Sequence, residues 1–223
     1  MKLAIFGAPG SGKGTYSKRL SAKLGIAHVS TGDIFREEVA KSTELGKKVA
    51  DYMAKGNLIP DEIAIEALKN KLSQPECKNG FILDGFPRTV EQAKALERIT
   101  KIDKIINLHV PHDVLIEKIS ARRICKKCGD IYNIADINKT IDGVDYILPP
   151  MLPKTPDVCD KCGGELYQRE DETPEIVQNR LKVADEKLKP TIAYYRGKVP
   201  FAEIYVNRGP EIMIGRILAE LRK

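Results

Sequence analysis

The residues Gly7-Ala8-Pro9-Gly10-Ser11-Gly12-Lys13-Gly14-Thr15 have the types and spacing to hold phosphate. Glycines let a backbone curl so that successive N–H groups point at anionic oxygens. A helix starting just after them adds its dipole, and Lys13 adds a mobile charge for the outer phosphates. The hydroxyl that usually follows the lysine comes one place later, at Thr15, after Gly14. Asp84 is a second candidate: it closes the apolar run Phe81-Ile82-Leu83 and precedes Gly85. A carboxylate at the carboxyl end of a parallel strand faces the phosphate loop and can hold magnesium; the plainer reading is a strand-end turn aspartate. Arg36, Arg88, Arg122, Arg123, Arg169 and Arg180 recur at junctions. Guanidinium groups fork onto phosphate oxygens and stay charged. Singly, such residues are usually solvated; converging, they suit a substrate with several phosphates. His28, His109 and His112 lie beside strand ends and fit packing or surface roles rather than catalysis.

Cys125 with Cys128, and Cys159 with Cys162, form two C-x-x-C pairs. In a cytosolic chain that pattern points to metal before disulfide. Four thiolates make a closed tetrahedral site suited to zinc, with no open position for catalysis, so the metal would be structural. Lys126, Lys127 and Lys161 can offset its negative charge. The loop between the pairs is longer than the usual 15–20 residues, and two redox dithiols or free thiols are the alternatives. Cys77 stands alone and reads as a small hydrophobe.

The elements that must position these groups follow from periodicity. Strands are expected at 3–6, 26–29, 81–83, 105–110 and 202–206. Helices are expected at 13–24, 34–40, 45–55, 61–73, 90–99, 114–123, 174–195 and from Pro210 onward, with Thr89 capping the helix at 90–99. Strands alternating with helices give an α/β fold with a parallel, doubly wound sheet. Between Cys125 and Glu172 prolines and tyrosines replace helical periodicity, which suggests a lobe of short strands and loops. Phosphoryl transfer to a phosphate acceptor needs no base, because its second ionisation lies near pH 6. It needs positioning, charge neutralisation and exclusion of water, hence lids; the segments 30–59 and 121–172 are the candidates.

At 223 residues and 42% hydrophobic, the chain should be soluble and globular. No apolar run approaches the ~20 residues of a membrane span, and Leu3–Ala8 is too short for a secretory leader, so a cytoplasmic location is expected. A net charge of +6 allows nucleic acid, and small anionic substrates explain it equally well.

Over nearly its whole length the sequence resembles the adenylate kinases, and among them the long form with a zinc-bearing lid. The resemblance rests on Gly7–Thr15, on Ser30-Thr31-Gly32-Asp33 with Arg36, and on Gly56-Asn57-Leu58-Ile59-Pro60-Asp61-Glu62. Phe81–Thr89 followed by Gln92 is its most specific part; Arg122-Arg123, Arg169-Glu170-Asp171-Glu172 and Arg180 complete it. It implies reversible, magnesium-dependent phosphoryl transfer from ATP to AMP, giving two ADP. It implies a core of residues 1–29, 60–120 and 173–223, a helical AMP-binding insertion at 30–59, and a zinc-stapled lid of short strands at 121–172. Gly10, Ser11, Gly12, Lys13, Gly14 and Thr15 would hold ATP phosphates, with Arg122, Ile131 and Tyr132 closing from the lid and Pro210 meeting the ATP base. Thr31, Arg36, Asn57, Leu58, Ile59, Gly85, Phe86, Pro87, Arg88 and Gln92 would bind AMP, with Thr31 and Gln92 toward adenine. Arg169 and Arg180 would bridge donor and acceptor. Lys13, Asp84, Arg88, Arg122, Arg169 and Arg180 form the implied catalytic set, and Cys125, Cys128, Cys159 and Cys162 the zinc site.

The chain departs from that family pattern at Lys118, where an arginine often packs over the ATP base, and at Ala121, a usual glycine. Glu172 replaces a common aspartate, and the stretch 133–158 is longer than usual. Another monophosphate kinase, for UMP, CMP or GMP, is the nearest alternative. A zinc-knuckle ATPase acting on nucleic acid is a third, weakened by 6% aromatic residues and no tryptophan for base stacking. The expectation is a monomer with no nucleic-acid or membrane partner.

Overall fold

Leu3 and Ile5 point to one face of the first strand and Ala4 and Phe6 to the other, and both sets are buried. A strand buried on both faces belongs inside a sheet covered twice. The computed structural model, which describes residues 1–223 apart from the side chains of Asp171 and Pro174, shows that arrangement. The chain begins β1 (Lys2–Gly7), α1 (Lys13–Leu24), β2 (Ala27–Ser30), α2 (Thr31–Ala40), α3 (Glu44–Ala54) and α4 (Asp61–Leu72). It continues β3 (Phe81–Asp84), α5 (Val90–Ile99), β4 (Lys104–His109) and α6 (His112–Ser120). After five short strands, β5 (Arg122–Cys125), β6 (Ile131–Asn133), β7 (Ile137–Ile141), β8 (Val144–Leu148) and β9 (Leu166–Tyr167), it ends with α7 (Pro174–Tyr195), β10 (Phe201–Tyr205) and α8 (Pro210–Leu221).

The main sheet is parallel, in the order β10-β4-β1-β3-β2. One core packs α1 and α8 onto Leu3, Ile5, Ile82, Ile106 and Ile204; the other packs α2, α3, α4, α5 and α7 onto Ala4, Phe6, Leu83 and Ile105. The strand order reverses at β1, and a ligand crevice opens at the carboxyl ends beside such a switch point. Gly7 and Asp84 occupy those ends on neighbouring strands.

Helix α2 starts earlier than its periodicity suggests. Ser30 accepts the Asp33 N–H at 3.2 Å, so the Ser30–Asp33 stretch is a cap and first turn rather than a strand-end loop. The helix expected at 114–123 runs instead over His112–Ser120, and Arg122 and Arg123 lie on β5, paired with Asn133 and Tyr132. Antiparallel pairing with β6 claims their backbone groups, so the helix ends before them. Thr89 caps α5 as expected, accepting the Gln92 N–H at 3.1 Å.

The stretch 121–172 divides between two sheets. Strands β6-β5-β9 adjoin the cysteines: Cys125 ends β5, and Cys128, Cys159 and Cys162 lie in the turns beside the sheet. β7 and β8 form a separate hairpin whose turn, Asp142-Gly143, has positive φ at both residues (49° and 75°). Ile137, Tyr146 and Leu148 of that hairpin are buried in the main core with Val206, Met213 and Ile214.

Helices α2 and α3 cross where Gly46 leaves no room: a Cβ there would sit 2.1 Å from the Glu38 carbonyl oxygen. Gly46→Ala should therefore push the two helices apart and destabilise the protein by about 1–3 kcal/mol, seen as a fall of several degrees in thermal unfolding. An unchanged melting temperature would contradict this packing.

Candidate functional site

The glycine loop turns between β1 and α1 with Gly7, Gly10 and Gly12 at φ of 146°, 81° and 97°. Gly10 is also sterically required, since a Cβ would lie 2.6 Å from the Ile119 side chain of α6. Lys13, the first residue of α1, folds back and donates to the Gly7 and Ala8 carbonyls at 2.7 and 2.9 Å. The lysine thus braces its own loop. Ser11 is fully buried. Gly14 sits at a crossing point: a Cβ there would be 3.4 Å from Asp84 Oδ2 and 3.3 Å from Ile131 Cδ1. The loop, the end of β3 and the start of β6 therefore meet.

Those segments line one cleft of about 680 Å³. Gly10, Gly12, Lys13, Gly14, Thr15, Asp84, Gly85, Pro87, Arg88 and Arg36 reach it from the core and α2; Arg122, Ile131 and Arg169 reach it from the β5–β9 region, and Arg180 from α7. Leu58 and Pro210 also line it. Its acidic lining residues are Asp33, Glu37 and Asp84.

The charges interact strongly. Burial pulls the Lys13 ammonium down to about 7; Asp84 opposes that, while Arg88, Arg180 and Arg122 reinforce it. Burial tends to raise the Asp84 carboxyl, but its His28 partner at 3.4 Å and the Lys13 charge outweigh it and hold the group below its usual range. Burial also works against the Arg88 charge, with Arg180 adding to the cost. Arg36 pairs with Asp33, and Arg169 stands 4.0 Å from the same carboxylate. Arg122 pairs with the fully buried Glu172 side chain. Burial lowers Lys118 to about 8, with Arg122 contributing.

Several expected contacts have partners inside the protein. Thr31 donates to the Gly85 carbonyl at 3.0 Å. Gln92, 2% exposed, accepts the Arg88 N–H and donates to Asp61 Oδ1, both at 2.8 Å. Asn57 accepts from the Asn179 side chain at 3.1 Å. Phe86 is core, and Ile59 packs against the same core. Arg123 turns toward the Ser120 and Arg122 carbonyls. Tyr132 differs most from expectation. Its ring leaves the cleft, its hydroxyl donates to Cys159 Sγ at 3.6 Å and it accepts the Asp160 N–H at 2.8 Å. Ile131 and Tyr132 are neighbours on a strand, so if one faces the cleft the other must face away.

The cleft also contains residues the sequence reading did not single out. Lys18 lies one turn beyond Gly14 on α1, and Ala184 and Lys187 continue from Arg180 on α7. Their i+4 and i+7 spacings from cleft residues were the available signal. Met151 and Tyr167 line it too, with no such signal.

The four cysteine sulfurs lie within 4.8 Å of one another. Cys125–Cys162 and Cys128–Cys159 are 3.5 and 3.6 Å apart, far beyond the ~2 Å of a disulfide. A tetrahedral zinc with ~2.3 Å bonds has sulfur–sulfur edges of about 3.8 Å. The donor set and its spacing fit that ion.

The family model described as adenylate kinase matches residues 5–199. The adenylate kinase of Caldicellulosiruptor saccharolyticus is 50% identical over 203 residues, covering 89% of this chain and 88% of its own. That of Archaeoglobus fulgidus is 48% identical over 203 residues, 89% of this chain and 87% of its own. That of Methanocella arvoryzae is 42% identical over 228 aligned residues, 100% of this chain and 99% of its own.

The depressed Lys13 has a measurable consequence. A polyanion beside it restores the proton, so at pH 8 nucleotide binding should take up roughly one proton. Calorimetry in buffers of different ionisation heat should show the uptake at pH 8 and lose it toward pH 6. In the ligand-free protein the unfolded chain binds the extra proton between about pH 7 and 10.5, so this residue makes the fold more stable as pH rises through that window. Binding heats independent of buffer at pH 8 would rule out the shift.

Proposed function

The chain belongs to the adenylate kinase family, whose members are ATP:AMP phosphotransferases, and from that premise we propose how its own residues divide the reaction. The observation that carries the assignment is that Lys13, Asp84, Arg88, Arg122 and Arg180, from separate segments, line one cleft beside the glycine loop. Gly10–Thr15 hold the ATP phosphates, with Lys13 swinging from its own loop carbonyls to the outer ones. Arg122 closes over the same phosphates from β5, and Ile131 and Pro210 flank the donor nucleoside. Arg36 and Arg88 hold the AMP phosphate beside Gly85 and Pro87, with Asn57, Leu58 and Ile59 along the other side. Phe86 sets the β3–α5 turn from the core. Thr31 and Gln92 act by holding that turn, through the Gly85 carbonyl and the Arg88 N–H, or meet adenine by exchanging these partners.

An AMP phosphate oxygen, already ionised near neutral pH, attacks the ATP γ-phosphorus. The bond from that phosphorus to the β–γ bridging oxygen breaks, and the charge left on ADP needs neutralising. Arg169 and Arg180, which line the same cleft, bridge both phosphate chains through the transfer. Asp84 and the Thr15 hydroxyl are the groups that would hold magnesium, which supplies charge neutralisation on the ATP phosphates. Cys125, Cys128, Cys159 and Cys162 would hold one zinc that staples the β5–β9 sheet. The reading includes a core of 1–29, 60–120 and 173–223, an AMP-binding insertion at 30–59, and a lid within 121–172. It also includes a cytoplasmic, monomeric enzyme acting on ATP, AMP and ADP, without a nucleic-acid or membrane partner. Among the described residues no helix is long and apolar enough to cross a membrane.

A coupled assay of ATP with AMP, CMP, UMP and GMP tests acceptor choice: AMP should be preferred, and equal rates with UMP or CMP would reassign the acceptor site. Arg88→Ala should lower turnover about 10³–10⁵-fold while the fold survives; near-normal turnover would refute its role.

Cys159→Ser with Cys162→Ser should lower zinc content from about one per chain to near none. Melting of the β5–β9 region should come before that of the main sheet. A native protein without tightly held metal would overturn the zinc assignment.

A further inference from the structure

The hairpin β7–β8 takes no part in the cysteine cluster, yet it is firmly docked on the main core. Its register sets Ile137 opposite Leu148 and Lys139 opposite Tyr146. Ile137, Tyr146 and Leu148 are buried against the end of β10 and the start of α8. Lys139 pairs with Glu117 of α6. On the outer edge the Ile147 N–H donates to the Asn207 carbonyl at 3.0 Å, forming a parallel bridge to the 207–208 backbone. Arg208 donates back to the Asp145 carbonyl, and the Pro149 ring lies 3.4 Å from where a Cβ on Gly209 would stand. The next residue, Pro210, lines the cleft with Lys118, Asn133 and Met151. These are joined in turn: Asn133 donates to the Lys118 carbonyl at 2.8 Å and exchanges two backbone hydrogen bonds with Met151, at 3.1 and 2.7 Å.

We propose that β7–β8 is a brace fixed to the core rather than a moving piece of the lid, and that it sets affinity for the donor nucleotide by positioning the 207–210 loop. Lifting the hairpin would expose three large apolar side chains and break the Ile147 and Arg208 hydrogen bonds together. That cost is too high for a motion repeated at each turnover. Opening is then confined to the β5–β9 sheet, which turns about the connections 134–136 and 149–150. The proposal rests on the reading that the ATP base lies beside Pro210.

Ile147→Pro tests it. The Ile147 N–H points away from β7, so proline removes the bond to Asn207 and leaves the hairpin ladder intact. The KM for ATP should rise about 3–10-fold, with kcat and the KM for AMP within about twofold of wild type. Ile147→Val keeps the N–H and should behave as wild type. In parallel, hydrogen exchange of the full-length native protein, with and without a non-hydrolysable ATP analogue plus AMP, should leave the amides of 137–148 equally protected while those of 122–133 gain protection. An unchanged KM for ATP, an equal rise in both KM values, or hairpin amides that change in step with the β5–β9 sheet would overturn the proposal. A wild-type protein that transfers no phosphate to AMP would instead count against the function itself.

Discussion

The arrangement depends on a repulsion. Lys13, Arg88, Arg122 and Arg180 are brought close enough to act on one another inside a cleft. Asp84 beside Lys13, Asp33 beside Arg36 and Glu172 beside Arg122 offset this, and Lys13 leans on its own loop carbonyls. Like charges gathered at low dielectric oppose one another. A ligand carrying several phosphates relieves that repulsion, most of all when negative charge is largest along the path of transfer. In the proposed reading the transfer uses no histidine. His28 is engaged with Asp84, and His109 with Glu203 and the ring of Tyr205.

Such crowding persists only on a stiff frame. Strands β1 and β3 are neighbours in the parallel sheet, with Ile5 opposite Asp84. They carry the phosphate loop and the carboxylate at the same edge. Fully buried Leu3, Ile5, Ile82 and Leu83 pack on both faces and hold that edge. The β3–α5 turn is fastened by polar contacts. Asp61 accepts from Thr89 and from Gln92, and Gln92 accepts from the Arg88 backbone. These contacts fix the base of the Arg88 side chain, and its own Nε donates to the Gly85 carbonyl at 2.7 Å, so the guanidinium is aimed along the turn. A side chain given to such fastening is unavailable as a ligand contact until its partners change.

Local patterns made the main sheet, the helices from Lys13, Val90 and Pro174, and the cysteine cluster legible in the sequence, because each rests on a short-range signal: alternation, a cap or a pair of knuckles. The cleft arginines were legible as types, but not the long-range partners, since Glu172 beside Arg122 and Asp33 beside Arg169 are chosen by tertiary placement. The β7–β8 hairpin carried a readable sign as well. Asp142-Gly143 lies between Ile137–Ile141 and Val144–Leu148, a strong signal for a tight hairpin turn. The expectation of a lobe of short strands and loops does not place this hairpin, because Pro149, Pro150 and Pro153 break the periodicity on its far side. No local pattern could say that this hairpin packs on α8, because that contact joins segments more than sixty residues apart.

Tyr132 shows how one strand ties the two centres together. On β6, Ile131 faces Gly14 of the phosphate loop while Tyr132 faces Cys159. Alternation makes these positions mechanically dependent: a shift of the strand that moves one side chain moves the other. The Tyr132 hydroxyl joins Cys159 to the Asp160 amide, so the cluster and its knuckle hold the strand from behind. The sulfurs need not approach a reacting phosphate to influence it. Fixing β6 fixes the height of Ile131 above the loop and, through the Arg122–Asn133 pairing, the root of Arg122. In the proposed reading the metal therefore serves chemistry through register alone, which accounts for a closed set of four ligands beside an open cleft.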